Sequence, residues 1–511
     1  MNTQGIKLRD AARRGDAAAS LAMAESLFRG RGFVRNYTLG LAYLQQELNK
    51  KSPAAALLLG NLVPLDVLLY QQLESHLHDA VELESNLAMA KLGVFKLLRE
   101  DTTGEATRLL KKSAICPEIG DLQPDEPGTL ARFLKKLPPE LVNPAALAIW
   151  GARTALEEQS IGRACYFAAV AIALSPRTSE LAEIVFSILR LARDSRREFR
   201  LPADLVEYSL EVCSARGEAE AQYALGCALA GAPYGELAPE QLVRNPHQEK
   251  AATLLLRSAD AGKYEAWLNL SELIPGCRGA ISSKGTARFF LEKAAHAGVL
   301  EAQTKLGAAL LKEAVSLEGA QEGVMWLGIA ADRSCPTARE LLQTMVLPLP
   351  DLPEDDERSA IRRIGAIDED LEIRVSLARS LHLTRREAMS FNATRDIKPW
   401  GLVIPGASYE NPKGRLAPAV SQEMKTMLQR VSQFFAATPS AGTPLLVQRS
   451  RVQRQVFKQL SIPENLMFAN EIGRSLSHYG YGRHWACRSA PILDSLFERR
   501  TNSQHVDISR I

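Results

Sequence analysis

The residues of this chain best suited to chemistry are basic and lie toward its C-terminal end. From Ser359 onward there are 22 Lys and Arg against 13 Asp and Glu, while the whole chain sums to only +3. The C-terminal stretch therefore carries nine excess positive charges and the remainder six excess negative ones. Such a split marks a half that faces nucleic acid or, on the plainer reading, a well-solvated surface. Arg385, Arg386, Lys413, Arg415, Arg451 and Arg454 are among the cations of that stretch. Other chemistries find little support. The seven Cys (116, 165, 213, 227, 277, 335 and 487) are scattered singly, with no C-x-x-C pair. They are expected to be buried thiols in a reducing cytoplasm. His76 and His78 are two apart, so on a helix they face different directions and make a poor metal pair. Gly276-Cys277-Arg278-Gly279 lacks the G-K-[ST] ending of a phosphate loop. No metal or cofactor is expected.

The elements that must position the basic residues follow from length and texture. A chain of 511 residues is too long for one ordinary core and predicts two or three domains. Hydrophobic residues make up 46% and aromatics only 6%, a bias that suits close-packed helices rich in Ala and Leu. No window approaches 18 consecutive apolar residues, so no membrane span is expected. The first residues have basic side chains with no apolar stretch behind them, which does not read as a secretory signal.

Repeats dominate the first two-thirds. Ala266, Ala302 and Ala338 are spaced 36 apart, and so are Leu270, Leu306 and Leu342. A second helix precedes each, ending Ala259-Asp260-Ala261-Gly262, Ala295-His296-Ala297-Gly298 and Ala331-Asp332-Arg333-Ser334. Eight residues before each end stand Leu254, Phe290 and Trp326. An earlier copy, Glu220 to Gly226, lies 45 away, with the extra residues placed in a loop around Ala232 to Gln241. Ala55-Leu59-Gly60, Ala88-Leu92-Gly93 and Ala146-Trp150-Gly151 repeat the theme upstream. Small residues let neighbouring helices approach, and one large residue fills the groove between them. A single hairpin cannot bury its stripe, so stacking must. Domains are expected over 1–116 and 215–345 as clear repeats, and over 117–214 as irregular helical ones, with an irregular connection between about 117 and 142.

The pattern A-x-x-x-L-G in one helix and A-x-x-x-A-A-x-x-G in the other resembles the Sel1-like repeats, relatives of the TPR. The resemblance covers most of residues 1–345 and implies an α-solenoid whose concave face binds another protein. The G-x-G-V turn of that family is kept best at Gly30-Arg31-Gly32-Phe33.

Residues 346–358 read as a linker, with Pro348, Pro350 and Pro353 followed by Glu354-Asp355-Asp356-Glu357. Beyond it, 359–511 reads as a smaller α+β, mostly helical domain. An amphipathic stretch from Leu371 to Met389 breaks near His382-Leu383-Thr384 and admits a helix-turn-helix reading. Strands are expected near Trp400 to Gly406, then a turn at Asn411 to Arg415, then a helix over 421–435. Helix, hairpin and helix in this order resemble the catalytic domain of tyrosine recombinases. Leu383-Thr384-Arg385-Arg386-Glu387-Ala388-Met389 stands where that family has L-R-x-x-E-A-L, and Lys413, Arg415 and Leu416-Ala417-Pro418 fit its hairpin. Arg451-Val452-Gln453-Arg454 stands for H-x-x-R and Ser475-Leu476-Ser477-His478 for the later His motif. The resemblance implies Lys413, Arg454 and His478 as remnants of phosphate chemistry, and Lys413, Arg415, Arg451 and Arg454 as contacts to the phosphates of double-stranded DNA, with Arg385 and Arg386 added by the helix-turn-helix reading; cleavage would need two Arg and a Tyr nucleophile. Here Thr384 holds the first Arg position unless Arg385 substitutes, and Arg451 holds the first His position. The nucleophile would fall near Cys487, no Tyr follows Tyr481, and Tyr479 and Tyr481 stand too close to His478. The expectation is therefore a non-enzymatic interaction scaffold with a basic, DNA-binding C-terminal domain. The alternative is a DNA integration or recombination protein of a mobile element.

Overall fold

Helices that pack against their neighbours in sequence build most of the described residues. The computed structural model describes residues 3–99, 104–115, 126–175, 177–276, 283–405, 414–437, 446–470 and 473–498. The chain divides into two compact units, Met1–Leu254 and Leu255–Ile511.

In the first unit, Ala17–Arg29 (α1) pairs with Tyr37–Asn49 (α2), and the Asp16 carboxylate caps α1 by accepting from the Ala18 and Ala19 N–H groups. Pro53–Leu62 (α3), Asn86–Leu98 (α4) and Glu105–Lys112 (α5) follow. Next come Pro144–Glu157 (α6), Ile161–Leu174 (α7), Ser179–Ser195 (α8), Ala203–Ala215 (α9) and Ala219–Leu229 (α10). The expected irregular stretch 117–214 is thus built, in its described part, from long regular helices. Its aperiodic look comes from buried Ile, Val and Phe on α8 in place of the Ala-rich register. The connection expected near 117 lies partly outside the described residues.

Two polar devices hold this unit. Lys91 of α4 is fully buried, and its Nζ donates to the carbonyls of Gly60 at 2.7 Å and Val63 at 2.6 Å. It satisfies carbonyls at the end of α3 that have no helical partner. Burial lowers the pKa of this amine to about 7, opposed by the Asp66 carboxylate. The inserted loop after α10 is fastened by buried Tyr234, whose hydroxyl donates to Glu220 at 2.7 Å. The Arg193 guanidinium lies 4.8 Å from the Tyr234 ring centre and pairs with Glu220.

The second unit opens with Glu265–Leu273 (α11), Lys284–His296 (α12), Leu300–Glu313 (α13), Leu317–Asp332 (α14) and Pro336–Gln343 (α15). The 36-residue register is a burial register: Ala266, Ala302 and Ala338 are all fully buried, as are Leu270, Leu306 and Leu342 to within a few per cent. The Gly of the L-G pair has a packing reason. A Cβ on Gly307 would stand 2.8 Å from the Gly323 carbonyl oxygen, and one on Gly323 would stand 2.9 Å from that of Gly307. The two helices α13 and α14 cross backbone to backbone at this point.

After α15 the chain runs without helix to Pro353, and Glu354–Gly365 (α16) then starts on the four acidic residues. Negative charge at a helix N-terminus is favourable, so these residues begin a helix and do not extend the linker. Glu369–Leu381 (α17) and Arg385–Ser390 (α18) follow. The strands Ile397–Lys398 (β1), Gly401–Ile404 (β2) and Arg415–Pro418 (β3) form an antiparallel sheet in the order β1-β2-β3. Gln422–Ala437 (α19), Leu446–Leu460 (α20), Gly482–Arg488 (α21) and Ala490–Phe497 (α22) complete the unit.

The hairpin faces two cores. Leu402 and its partner Ala417 point to a core made with α16, α17, α19 and α20, which includes Ile364, Val375, Val431 and Phe457. Val403 and its partner Leu416 point the other way, to a core containing Ala308, Leu327 and Leu341 of the repeats together with Trp485 and Leu493. Alternation along a strand makes this two-sided burial possible. The Trp485 indole also donates to Thr344 Oγ1 at 2.8 Å. The expected boundary at 346–358 therefore does not separate two cores: repeats 308–345 and residues 400–497 share one.

Candidate functional site

Of the six basic residues expected at phosphates, Arg415 is interior, and Arg385, Arg386, Arg451 and Arg454 lie at the surface. Arg415 is 1% exposed. Strand alternation turns it inward, where its Nε and Nη2 donate to the two carboxylate oxygens of Glu387 at 3.0 and 2.8 Å. Its Nη1 donates to the Met345 carbonyl at 3.3 Å. This fork-to-fork pairing is the strong form of a charge-assisted hydrogen bond. Glu387 also accepts from the Thr384 N–H at 2.9 Å, and Thr384 Oγ1 accepts from the Glu387 N–H, a capping box that starts α18. Burial pushes the Glu387 carboxyl up, but Arg415 and the Thr384 hydrogen bonds outweigh it and hold it below its ordinary value. Arg415 is thus corrected from a phosphate contact to an interior ion-pair partner.

Thr384, at the position where the recombinase resemblance wants an Arg, is a buried helix cap. The helix-turn-helix reading also changes. α18 is six residues long and buries Glu387, Ala388 and Met389, which leaves it no broad outer face to enter a groove. Arg385 is ion-paired with Glu464 at 2.9 Å, and Arg386 is exposed. His478 is exposed with its ring centre 5.6 Å from that of His484, while Arg488 stacks 3.9 Å from the Tyr479 ring. Among the described residues, no hydrogen bond, ion pair or ring contact joins His478 to Arg451 or Arg454. Lys413 lies outside the described residues, as does most of the turn at 411–415.

Arg451 and Arg454 lie on the outer side of α20. Its inner side is held by buried Gln453, Val456 and Phe457 and by Arg449, which donates to the Met389 carbonyl at 3.1 Å. Gln453 is fully buried, and its side-chain amide has no hydrogen-bond partner among the described residues. The helix LVQRSRVQRQVFKQL contains no acidic residue. Among the described residues Arg451, Arg454 and Lys458 are exposed and form no ion pair.

A second feature is a groove of about 310 Å³ between α14, α15, the start of β2 and the start of α19. Met325, Ile329 and Trp400 give it an apolar lining, and Arg339 and the Asp332–Lys425 ion pair line it as well. Met325 lies 36 residues after Phe289, and both are exposed on successive repeat helices. Sequence periodicity could have flagged this pair, since the large residue falls outside the buried register. Among the described residues no group of His, Cys, Asp and Glu is placed to hold a metal ion, and no helix is long and apolar enough to cross a membrane.

No family model matches the chain, and no curated protein matches it. Solved structures do. A protective antigen of uropathogenic Escherichia coli strains, displaying an SLR fold, is 16% identical, covering 89% of this chain and 95% of that one with a TM-score of 0.28. A Sel1 repeat protein from Oxalobacter formigenes is 14% identical, covering 67% of this chain and 90% of that one with a TM-score of 0.23. At such identity and superposition the repeat assignment rests on the 36-residue burial register.

Proposed function

We propose that this protein is a scaffold whose helical repeats hold a partner protein, and that it carries out no bond-making chemistry of its own. The observation that carries the reading is the repeat stack with apolar side chains left exposed at one register position. Phe289, half exposed, and Met325 stand on successive hairpins, and Ile329 continues them into the groove beside Trp400. Exposed apolar side chains repeated from hairpin to hairpin, beside a groove with apolar lining, offer a surface on which a partner protein can bury apolar area. The test is capture with the full chain, comparing the wild type with Phe289→Glu, Met325→Glu and Ile329→Glu combined. Partners retained by the wild type and lost by the variant are expected; identical retention would reject this face as the binding surface.

The finer reading is that the basic C-terminal region also holds duplex DNA without cutting it. Its support is the charge excess after Ser359 and the acid-free α20. Cleavage is not expected, because Thr384 replaces the Arg that the recombinase pattern needs, no Tyr follows Tyr481, and Tyr479 and Tyr481 stand too close to His478. A covalent adduct on a suicide DNA substrate, abolished by Tyr479→Phe or Tyr481→Phe, would reverse that judgement.

A further inference from the structure

We propose that α20 is the element that reads duplex DNA, with one stripe of cations following a phosphate strand and an adjacent stripe of glutamines facing base edges. The inference rests on the DNA-holding reading above and assigns it to particular side chains.

The outer face of α20 is ordered by the helical repeat. At 100° per residue, Arg451, Arg454 and Lys458 fall within about 60° of one another. Gln448, Gln455 and Gln459 fall within about 40°, on a parallel line rotated by roughly 90° from the first. All six are exposed. Exposed Val447 heads the cationic stripe and exposed Val452 lies beside the glutamine stripe. The opposite side, with Gln453, Val456 and Phe457, is buried against the core that includes α16 and α18.

Three features favour a nucleic acid over another anion. The face contains no carboxylate, so nothing on it repels phosphate. From Arg451 to Lys458 the helix advances about 10 Å, the rise along the duplex axis of roughly three phosphates of one strand at about 3.4 Å each. Arg and Gln are the side chains that pair with guanine and adenine edges in the major groove, and an apolar side chain such as Val452 suits a thymine methyl. Arg363 adds a fourth cation at the C-terminal end, where it donates to the Leu460 carbonyl at 2.7 Å. An acidic protein surface would match the cations but gives the ordered glutamines no role.

The experiment uses the full chain, because the C-terminal core is completed by the repeats. Binding to a random-sequence DNA duplex is measured against salt. The substitutions Arg451→Gln, Arg454→Gln and Lys458→Gln, combined, should reduce the slope of log affinity against log salt by about 2.7, equally for all sequences. The wild type should accordingly lose about 40-fold more affinity than this variant between about 50 and 200 mM salt. Gln448→Ala, Gln455→Ala and Gln459→Ala, combined, should leave the slope unchanged and flatten the sequence preference obtained by selection from a duplex pool. If wild-type protein binds with a steep slope that the cation variant keeps, the assignment to α20 is overturned while the DNA reading stands. If wild-type protein does not bind duplex at low salt, the DNA reading itself falls. Equal binding to polyglutamate or to vesicles of anionic lipid would show a surface selective only for charge and overturn the nucleic-acid assignment.

Discussion

Replacing Arg415 by Met separates an interior ion pair from a surface phosphate contact. Arg415 is 1% exposed and makes a two-pronged contact with Glu387, itself buried. Removing the guanidinium strands a carboxylate in the core, and breaking one side of such a pair costs about 3–5 kcal/mol. Removing both charges with Arg415→Met and Glu387→Leu relieves the stranded carboxylate. What remains is the loss of the capping contact to Thr384, about 1 kcal/mol, and of the donor to the Met345 carbonyl, about another 1 kcal/mol. The double variant should therefore be more stable than Arg415→Met alone. Urea unfolding followed by tryptophan fluorescence is suited to this, since Trp267, Trp326, Trp400 and Trp485 all lie in the second unit. The pH dependence carries a sign. The Glu387 carboxyl titrates below its unfolded value, so its contribution is fully present above that value and is lost as pH falls toward the folded one. Glu387→Gln should flatten the acid limb. An Arg415→Met cost within about 0.5 kcal/mol, typical of an exposed residue, would refute the reasoning.

Further expectations concern packing and burial elsewhere. The Lys91 amine titrates near pH 7 when folded and near 10.5 when unfolded, so stability should rise by roughly 2 kcal/mol from pH 7 to 9 as the folded chain alone releases the proton. Comparing wild type with Lys91→Met by chemical denaturation at both pH values isolates this rise, and parallel profiles would contradict it. Gly307→Ala should destabilise by about 1–3 kcal/mol, even though Ala is the better helix former, because the new Cβ meets the Gly323 backbone; a raised melting temperature would contradict this close crossing. Gln453→Leu should stabilise by about 1–3 kcal/mol in the same denaturation assay, since it removes a buried amide that has no partner among the described residues.

The repeats were legible because their signal is periodic. Every residue of the Ala and Leu series at a 36-residue step is buried, since each hairpin presents the same face to the next. The C-terminal charges were legible as a sum but not one by one. Arg415 and Arg454 look alike in the sequence; strand alternation sends the first inward, and the helical turn leaves the second outside. The partner that neutralises Arg415 lies 28 residues earlier, and no local pattern announces such a pairing. A clue was present in Thr384-x-x-Glu387, the spacing of a capping box, which predicts an acid folded back toward the backbone. The likeness of Thr384 to Met389 to a recombinase motif reflects this buried helix start as much as any chemistry. Pro348, Pro350 and Pro353 resemble a domain stop in the sequence, yet Leu416 and Trp485 are buried against residues that precede them, a pairing with no local signal.

A row of stacked hairpins always ends on an apolar edge that no further hairpin covers. Here Leu416, Trp485 and Leu493 close that edge on the last repeats. The region that carries α20 is thereby the terminator of the stack. A chain cut after residue 345 would present a surface shaped to receive another hairpin, and a second cut chain could supply one. Shortened forms of this protein should therefore self-associate through that edge, while the full chain covers it.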